Sequence, residues 1–185
     1  MVKRVFSVVL VIFGLIGPSL AIAGETPLTR VLFIGNSYLY YNDSLHNHVK
    51  RMASERFFGM ASRDFQYKSA TIGGARLQHH NIEWLLTPGN IGVDQPFQAV
   101  IMQGGSFEPL TADTREIFID TATRYAEKVR AVGGKPFLYM THAYVRPHRR
   151  AEPGMINLIS DTYSHAGREA EAEVIPVGLA FERSY

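Results

Sequence analysis

The residue best placed to do chemistry in this chain is Ser37, in the turn Gly35-Asn36-Ser37 that follows an apolar run at 30–34 (RVLFI). A serine directly after a buried strand and beside glycine can project its hydroxyl into a crevice while neighbouring backbone N–H groups point the same way. That arrangement suits nucleophilic acyl transfer: the hydroxyl attacks a carbonyl carbon and the N–H groups hold the developing oxyanion. The plainer alternative is a turn that caps whatever follows. Glycine and small polar residues recur behind the other apolar runs, as Gly73 and Gly74, as Gln103-Gly104-Gly105-Ser106, and as Thr141, His142 and Tyr144.

Other arrangements carry less. His142 follows the fourth apolar run and is the best internal candidate for a general base, with a rim residue that binds substrate or caps a loop as its alternative. Asp161 and His165 stand four apart on an expected helix, where they share a face and can simply pair. His79-His80 and His46-x-His48 invite a metal reading, but residues one or two apart on a helix do not face each other and no acidic partner is spaced to help. No metal site is expected. Arg146, His148, Arg149 and Arg150 form a local basic loop, read as solvated, with contact to an anionic substrate as the minority option. There is no G-x-G-x-x-G after the first run, no G-x-x-x-x-G-K-[ST], and no G-x-S-x-G, so nucleotide sites and the nucleophile elbow lack their fingerprints.

These residues need a scaffold, and the patterning supplies one. Short apolar runs at 30–34, 97–102 (FQAVIM), 136–141 (PFLYMT) and 174–179 (VIPVGL), with an alternating stretch at 65–72, read as five strands. Helices are expected from a Ser44 cap through Phe57, from Thr111 or Asp113 to Gly133-Gly134, and from Pro153 to about Glu173, with a short helix or ordered loop at 75–86. Strands alternating with helices imply an α/β fold: a three-layer α/β/α sandwich around a mostly parallel, flavodoxin-like five-stranded sheet. In such sheets ligands bind outside the carboxyl ends of the strands, which is where the glycine and serine turns fall.

The chain has 185 residues, 46% hydrophobic, enough for one self-supporting core. It has no cysteine, which excludes disulfides, Cys-ligated metals and cysteine nucleophiles. Lys3 and Arg4, the apolar stretch 5–16, Pro18 and Ala21-Ile22-Ala23 have the layout of an export signal, expected to span 1–23 and to leave a domain at 24–185. The net charge of +2 belongs to that segment: it holds two cations and no acid, so the remainder is formally neutral. No electrostatic case for nucleic acid or an anionic membrane survives. The expected location is secreted or periplasmic.

Taken together, residues 30–42 (RVLFIGNSYLYYN), Gly73-Gly74-Ala75, 99–109 (AVIMQGGSFEP) and 174–182 (VIPVGLAFE) resemble the conserved blocks of the SGNH (GDSL-like) hydrolases, in particular a branch with G-N-S-[FY]. The resemblance implies a serine esterase without metal or organic cofactor. It makes Ser37 the nucleophile and one oxyanion donor through its own N–H, and Gly74 the second donor, with Gly73 as the alternative. The family's third donor is an Asn side chain in G-x-N-[DE], which is missing here; Gln103 is preferred in its place over Ser106. The family's D-x-x-H block is also missing, so the resemblance implies a chain truncated before its general base, or a remnant that binds without catalysis. Substrates implied are small-molecule or carbohydrate esters, including O-acyl groups on sugars.

Overall fold

The layers follow from alternation within the strands. In a computed structural model that describes residues 26–184, β1 (Arg30–Gly35) turns Leu32 and Ile34 to one face and Val31 and Phe33 to the other, and all four are buried. The expected export signal lies outside the described residues. Strands β2 (Gln66–Thr71), β3 (Ala99–Met102), β4 (Lys135–Tyr139) and β5 (Glu173–Ile175) complete one sheet in the order β2-β1-β3-β4-β5, with every neighbouring pair parallel. Ile34 sits opposite Ala70 on one side and Met102 on the other. The fold is therefore the three-layer α/β arrangement with a five-stranded parallel sheet.

The two faces are covered unequally. Helices α3 (Ile82–Leu86), α4 (Ala112–Ala131) and α5 (Met155–Glu169) seal the first face, with Leu85, Phe118, Ala122, Val129, Ile159 and Tyr163 packed against Leu32, Ile34, Val100, Met102 and Leu138. Phe118 and Val129 are essentially inaccessible to water; burial of each contributes roughly 1.5–3 kcal/mol before entropy is counted. On the second face α1 (Ser37–Tyr40) and α2 (Leu45–Arg56) bring Leu39, Leu45 and Val49 to Val31, Phe33 and Ala99, with His46 beside Phe33, and leave Ile101, Phe137 and Tyr139 partly exposed.

Local chemistry sets the helix ends. Thr111 caps α4, its hydroxyl accepting from the Thr114 N–H at 3.3 Å, and Asp113 adds a favourable charge in the first turn. Ser44 precedes α2 but its hydroxyl reaches back to the Tyr40 carbonyl at 3.3 Å instead of capping.

Two expected boundaries are corrected. Helix α5 starts at Met155 and stops at Glu169, where the Ala172 N–H turns back to the Gly167 carbonyl around Glu171 at φ 47°. The fifth strand ends at Ile175, and 177–182, expected in part as strand, is helix α6 (Val177–Glu182). Pro176, which has no N–H for a ladder, divides the two. Gly178 then packs its backbone on the Thr141 carbonyl, too close for any Cβ.

Candidate active site

With strand order 2-1-3-4-5, the chain reverses direction across the sheet between β1 and β3, the switch point at which sheets of this kind place their ligand sites. Ser37 lies on that rim as the first residue of α1. Asn36 supplies the cap: its side-chain oxygen accepts from the Tyr38 N–H at 3.1 Å. Its Nδ2 donates to the Ala75 carbonyl at 3.0 Å and, at 3.5 Å, to that of Gly104, so one buried amide ties together the loops after β1, β2 and β3. Gly35 is demanded by close approach, since a Cβ there would stand 2.5 Å from Gln103 Oε1 and 2.7 Å from Leu39 Cδ1.

The Ser37 hydroxyl and N–H are half-buried and unbonded among the described residues. The Gly73-Gly74 turn is closed by the Ala75 N–H on the Ile72 carbonyl at 3.1 Å, with Gly74 at φ +67°. The N–H groups of Gly73 and Gly74 are likewise unbonded among the described residues, and both glycines are exposed. The rim thus offers a hydroxyl and free backbone donors, the ingredients of an oxyanion site.

Gln103 takes a different place from the one expected. It is fully buried, its Oε1 accepting from the Asn36 N–H at 3.0 Å and its Nε2 donating to the Gly104 carbonyl. Both ends of the amide hold the loops behind Ser37, so it supports the Ser37 turn and is not turned to the rim. The alternative donor, Ser106, is engaged by the Tyr144 hydroxyl at 2.6 Å.

The histidines are dispersed. His142 lies between the rings of Tyr38 (4.5 Å) and Phe181 (4.9 Å), with Nδ1 2.9 Å from the Ala143 carbonyl, and makes no hydrogen bond to Ser37. His165 pairs with Glu169 at 3.5 Å and not with Asp161. His79 Nδ1 accepts from the Arg76 N–H, while His80 is buried beneath the β1 turn. His48 contacts the Asn42 carbonyl and Arg51, and His46 faces Phe33, so neither histidine pair converges on one point.

Two buried side chains of this site carry no sequence expectation. Glu108 Oε2 accepts from the Gly105 N–H and, at 3.4 Å, from that of Leu77, while Oε1 has no partner among the described residues. Burial pushes the Glu108 carboxyl up, partly offset by those N–H groups and by Arg76 and His79. The Tyr163 hydroxyl accepts from the Gly104 N–H at 3.2 Å, and its complete burial pushes that phenol far up. Asn36 could have been recognised from its cap position. Glu108 and Tyr163 had no signal, because nothing in a linear pattern marks which polar residue turns inward. At the rim itself, burial and the nearby Tyr144 phenol raise the Tyr38 phenol, with Ser106 opposing.

Against solved structures, the chain superposes on a candidate SGNH hydrolase from Slackia heliotrinireducens with a TM-score of 0.63 at 20% identity, covering 85% of this chain and 83% of that one. It has the fold of the SGNH hydrolases. The SGNH-family esterase AlinE4 matches at TM-score 0.59 and 14% identity over 85% of this chain and 80% of its own. The acetyl xylan esterase AlAXEase matches at TM-score 0.60 and 16% identity over 83% and 81%. No family model matches the chain, and no curated protein matches its sequence. Within the SGNH-type fold, Ser37 occupies the rim of β1 and Gly73-Gly74 the rim of β2.

Proposed function

We propose that the protein is an exported serine esterase that removes O-acyl groups from carbohydrates through an acyl-Ser37 intermediate. The observation that carries this reading is the coexistence, on one rim, of an unbonded Ser37 hydroxyl with unbonded N–H groups on Ser37, Gly73 and Gly74. In the first step Ser37 Oγ bonds to the ester carbonyl carbon while the Ser37 and Gly74 N–H groups hold the oxyanion. The carbonyl–oxygen bond to the alcohol then breaks, and the serine proton leaves on the alcohol. Water cleaves acyl-Ser37 and restores the hydroxyl. Asn36, Gln103 and Glu108 position the loops and touch no substrate. The carbohydrate preference draws support from the acetyl xylan esterase among the structural neighbours, and the exported location from the signal-like residues 1–23.

A second reading is a binding domain without turnover. It is favoured by one observation: among the described residues no histidine is bonded to Ser37 Oγ, and a serine hydroxyl needs a base to become an efficient nucleophile. A fluorophosphonate probe with an aryl acetate assay separates the two. Labelling and turnover that vanish in Ser37→Ala support the esterase. A folded protein that shows neither is the binding domain.

A further inference from the structure

Beyond the rim, the loop that follows β4 holds a group of arginines. Among the described residues, Arg146, Arg149 and Arg150 make no ion pair, and all three are exposed. The loop is anchored to the candidate site: Ser106 bonds Tyr144, and the Tyr144 ring lies stacked on His148 at 4.1 Å and 16°. The backbone is closed by the His148 N–H on the Val145 carbonyl and the Ala151 N–H on that of His148, each at 3.0 Å.

Two adjoining cavities flank this loop. One, of about 470 Å³, is bordered by Tyr144 and Arg146; the other, of about 400 Å³, by Arg149 and Arg150 over an apolar floor of Leu110, Met155 and Leu158. They share Glu152, Pro153, Gly154 and Met155, so they adjoin along that segment, with Tyr144 bordering the first. Glu152 lines both and Glu182 the first; the three arginines still outnumber these two acids.

Two adjoining cavities lined by an aromatic hydroxyl, apolar side chains and guanidinium groups that make no ion pair among the described residues match one class of ligand. A sugar ring packs its C–H face on an aromatic or aliphatic surface, and a planar guanidinium bonds a carboxylate with two parallel N–H donors. We infer that these adjoining cavities hold the backbone of an acidic, uronate-bearing polysaccharide, whose carboxylates reach Arg149 and Arg150 while its acylated unit lies at Ser37. The inference rests on the carbohydrate-ester reading for its register to Ser37; the binding itself does not.

The test is therefore binding without catalysis. Affinity electrophoresis of the purified chain is run in gels containing polygalacturonate, neutral xylan, or duplex DNA. Retardation by polygalacturonate alone, weakening as salt is raised, is expected. Arg149→Ala/Arg150→Ala should lower that affinity about 10-fold, and Arg149→Lys/Arg150→Lys should restore part of it, because lysine keeps the charge but loses the fork. Arg168→Ala, on the far end of α5, should bind as the parent does. Equal retention by xylan, tighter retention by DNA, or an unchanged double variant with native melting would each overturn the inference. Ser37→Ala is expected to bind polygalacturonate normally, so a failed ester assay with intact salt-sensitive binding sinks only the esterase.

Discussion

Asn36 and Ala75 are joined across two loops by a hydrogen bond of 3.0 Å from the asparagine Nδ2 to the alanine carbonyl. The same side chain caps α1, so the turn bearing Ser37 and the turn bearing Gly73 and Gly74 are set by a single residue. Removing it with Asn36→Ala costs the cap, about 1 kcal/mol, and leaves a buried carbonyl unsatisfied, about 1–3 kcal/mol. Denaturant midpoints will read that loss, and fluorophosphonate labelling of Ser37 should slow at least tenfold. Asn36→Asp separates the two functions: it keeps an acceptor for the Tyr38 N–H and loses the donor to Ala75, so labelling slows while more of the stability returns.

Gly35→Ala is expected to be disruptive, although Gly35 has an ordinary strand conformation. Its methyl group would meet Gln103 Oε1 at 2.5 Å and Leu39 Cδ1 at 2.7 Å. Gln103 is bonded at both ends and cannot retreat without releasing Asn36. The expected loss is about 1–3 kcal/mol, measured by thermal or urea unfolding. A variant as stable as the parent would show that the packing behind Ser37 is looser than described.

Glu108 predicts a stability limb on the alkaline side. Its carboxyl is raised above the ordinary 4.5 by burial, so the unfolded chain ionises first and stability declines as pH rises through that value, levelling once the folded group has ionised. Glu108→Gln, which resembles the protonated acid and keeps an oxygen for the Gly105 and Leu77 N–H groups, should flatten this limb. Urea midpoints from about pH 4 to about pH 8 test it; parallel curves for parent and variant would exclude the carboxyl as the cause.

His80 acts in the opposite sense. Burial lowers its pKa from 6.5, with the neighbouring His79 adding to the shift and the Gly35 carbonyl opposing it. The fold therefore requires the neutral ring, and stability falls as pH drops below the ordinary histidine value. His80→Gln should reduce this acid limb without abolishing it, since half-buried His46 is shifted the same way. Between the carboxylate and histidine ranges the two limbs run in opposite directions, Glu108 losing stability as pH rises and His80 as pH falls. These two groups therefore place no stability maximum there, which melting temperature against pH in the two single variants will show.

The layer order was legible because each strand announces itself twice, as an apolar run and as the glycine turn that ends it; 30–35 and 99–102 are examples. The fifth strand misled for a physical reason. VIPVGL is apolar throughout, but Pro176 stops the ladder and the remaining apolar residues form a short helix whose Gly178 meets Thr141. On the rim, Ser37 and the two glycines could be placed from the sequence because each closely follows a strand. Gln103 and Glu108 could not: a polar residue after a strand reads as rim, and only tertiary packing decides that these two face inward to hold N–H groups of other loops. The value of Asn36 is likewise long-range, since its partners lie 39 and 68 residues away.

The unequal cover of the sheet has a consequence for how the molecule comes apart. Where α3, α4 and α5 seal one side, α2 carries no fully buried residue and meets the other through half-buried Leu45, His46 and Val49. Opening should begin there, with α2 lifting away while the opposite layer stays closed. Amide exchange in native buffer would then show α2 losing protection first and β1, flanked on both sides by other strands, losing it last. Because α2 follows the helix that begins with Ser37, the segment that loosens earliest adjoins the candidate nucleophile, and substrate access and local breathing would share one hinge.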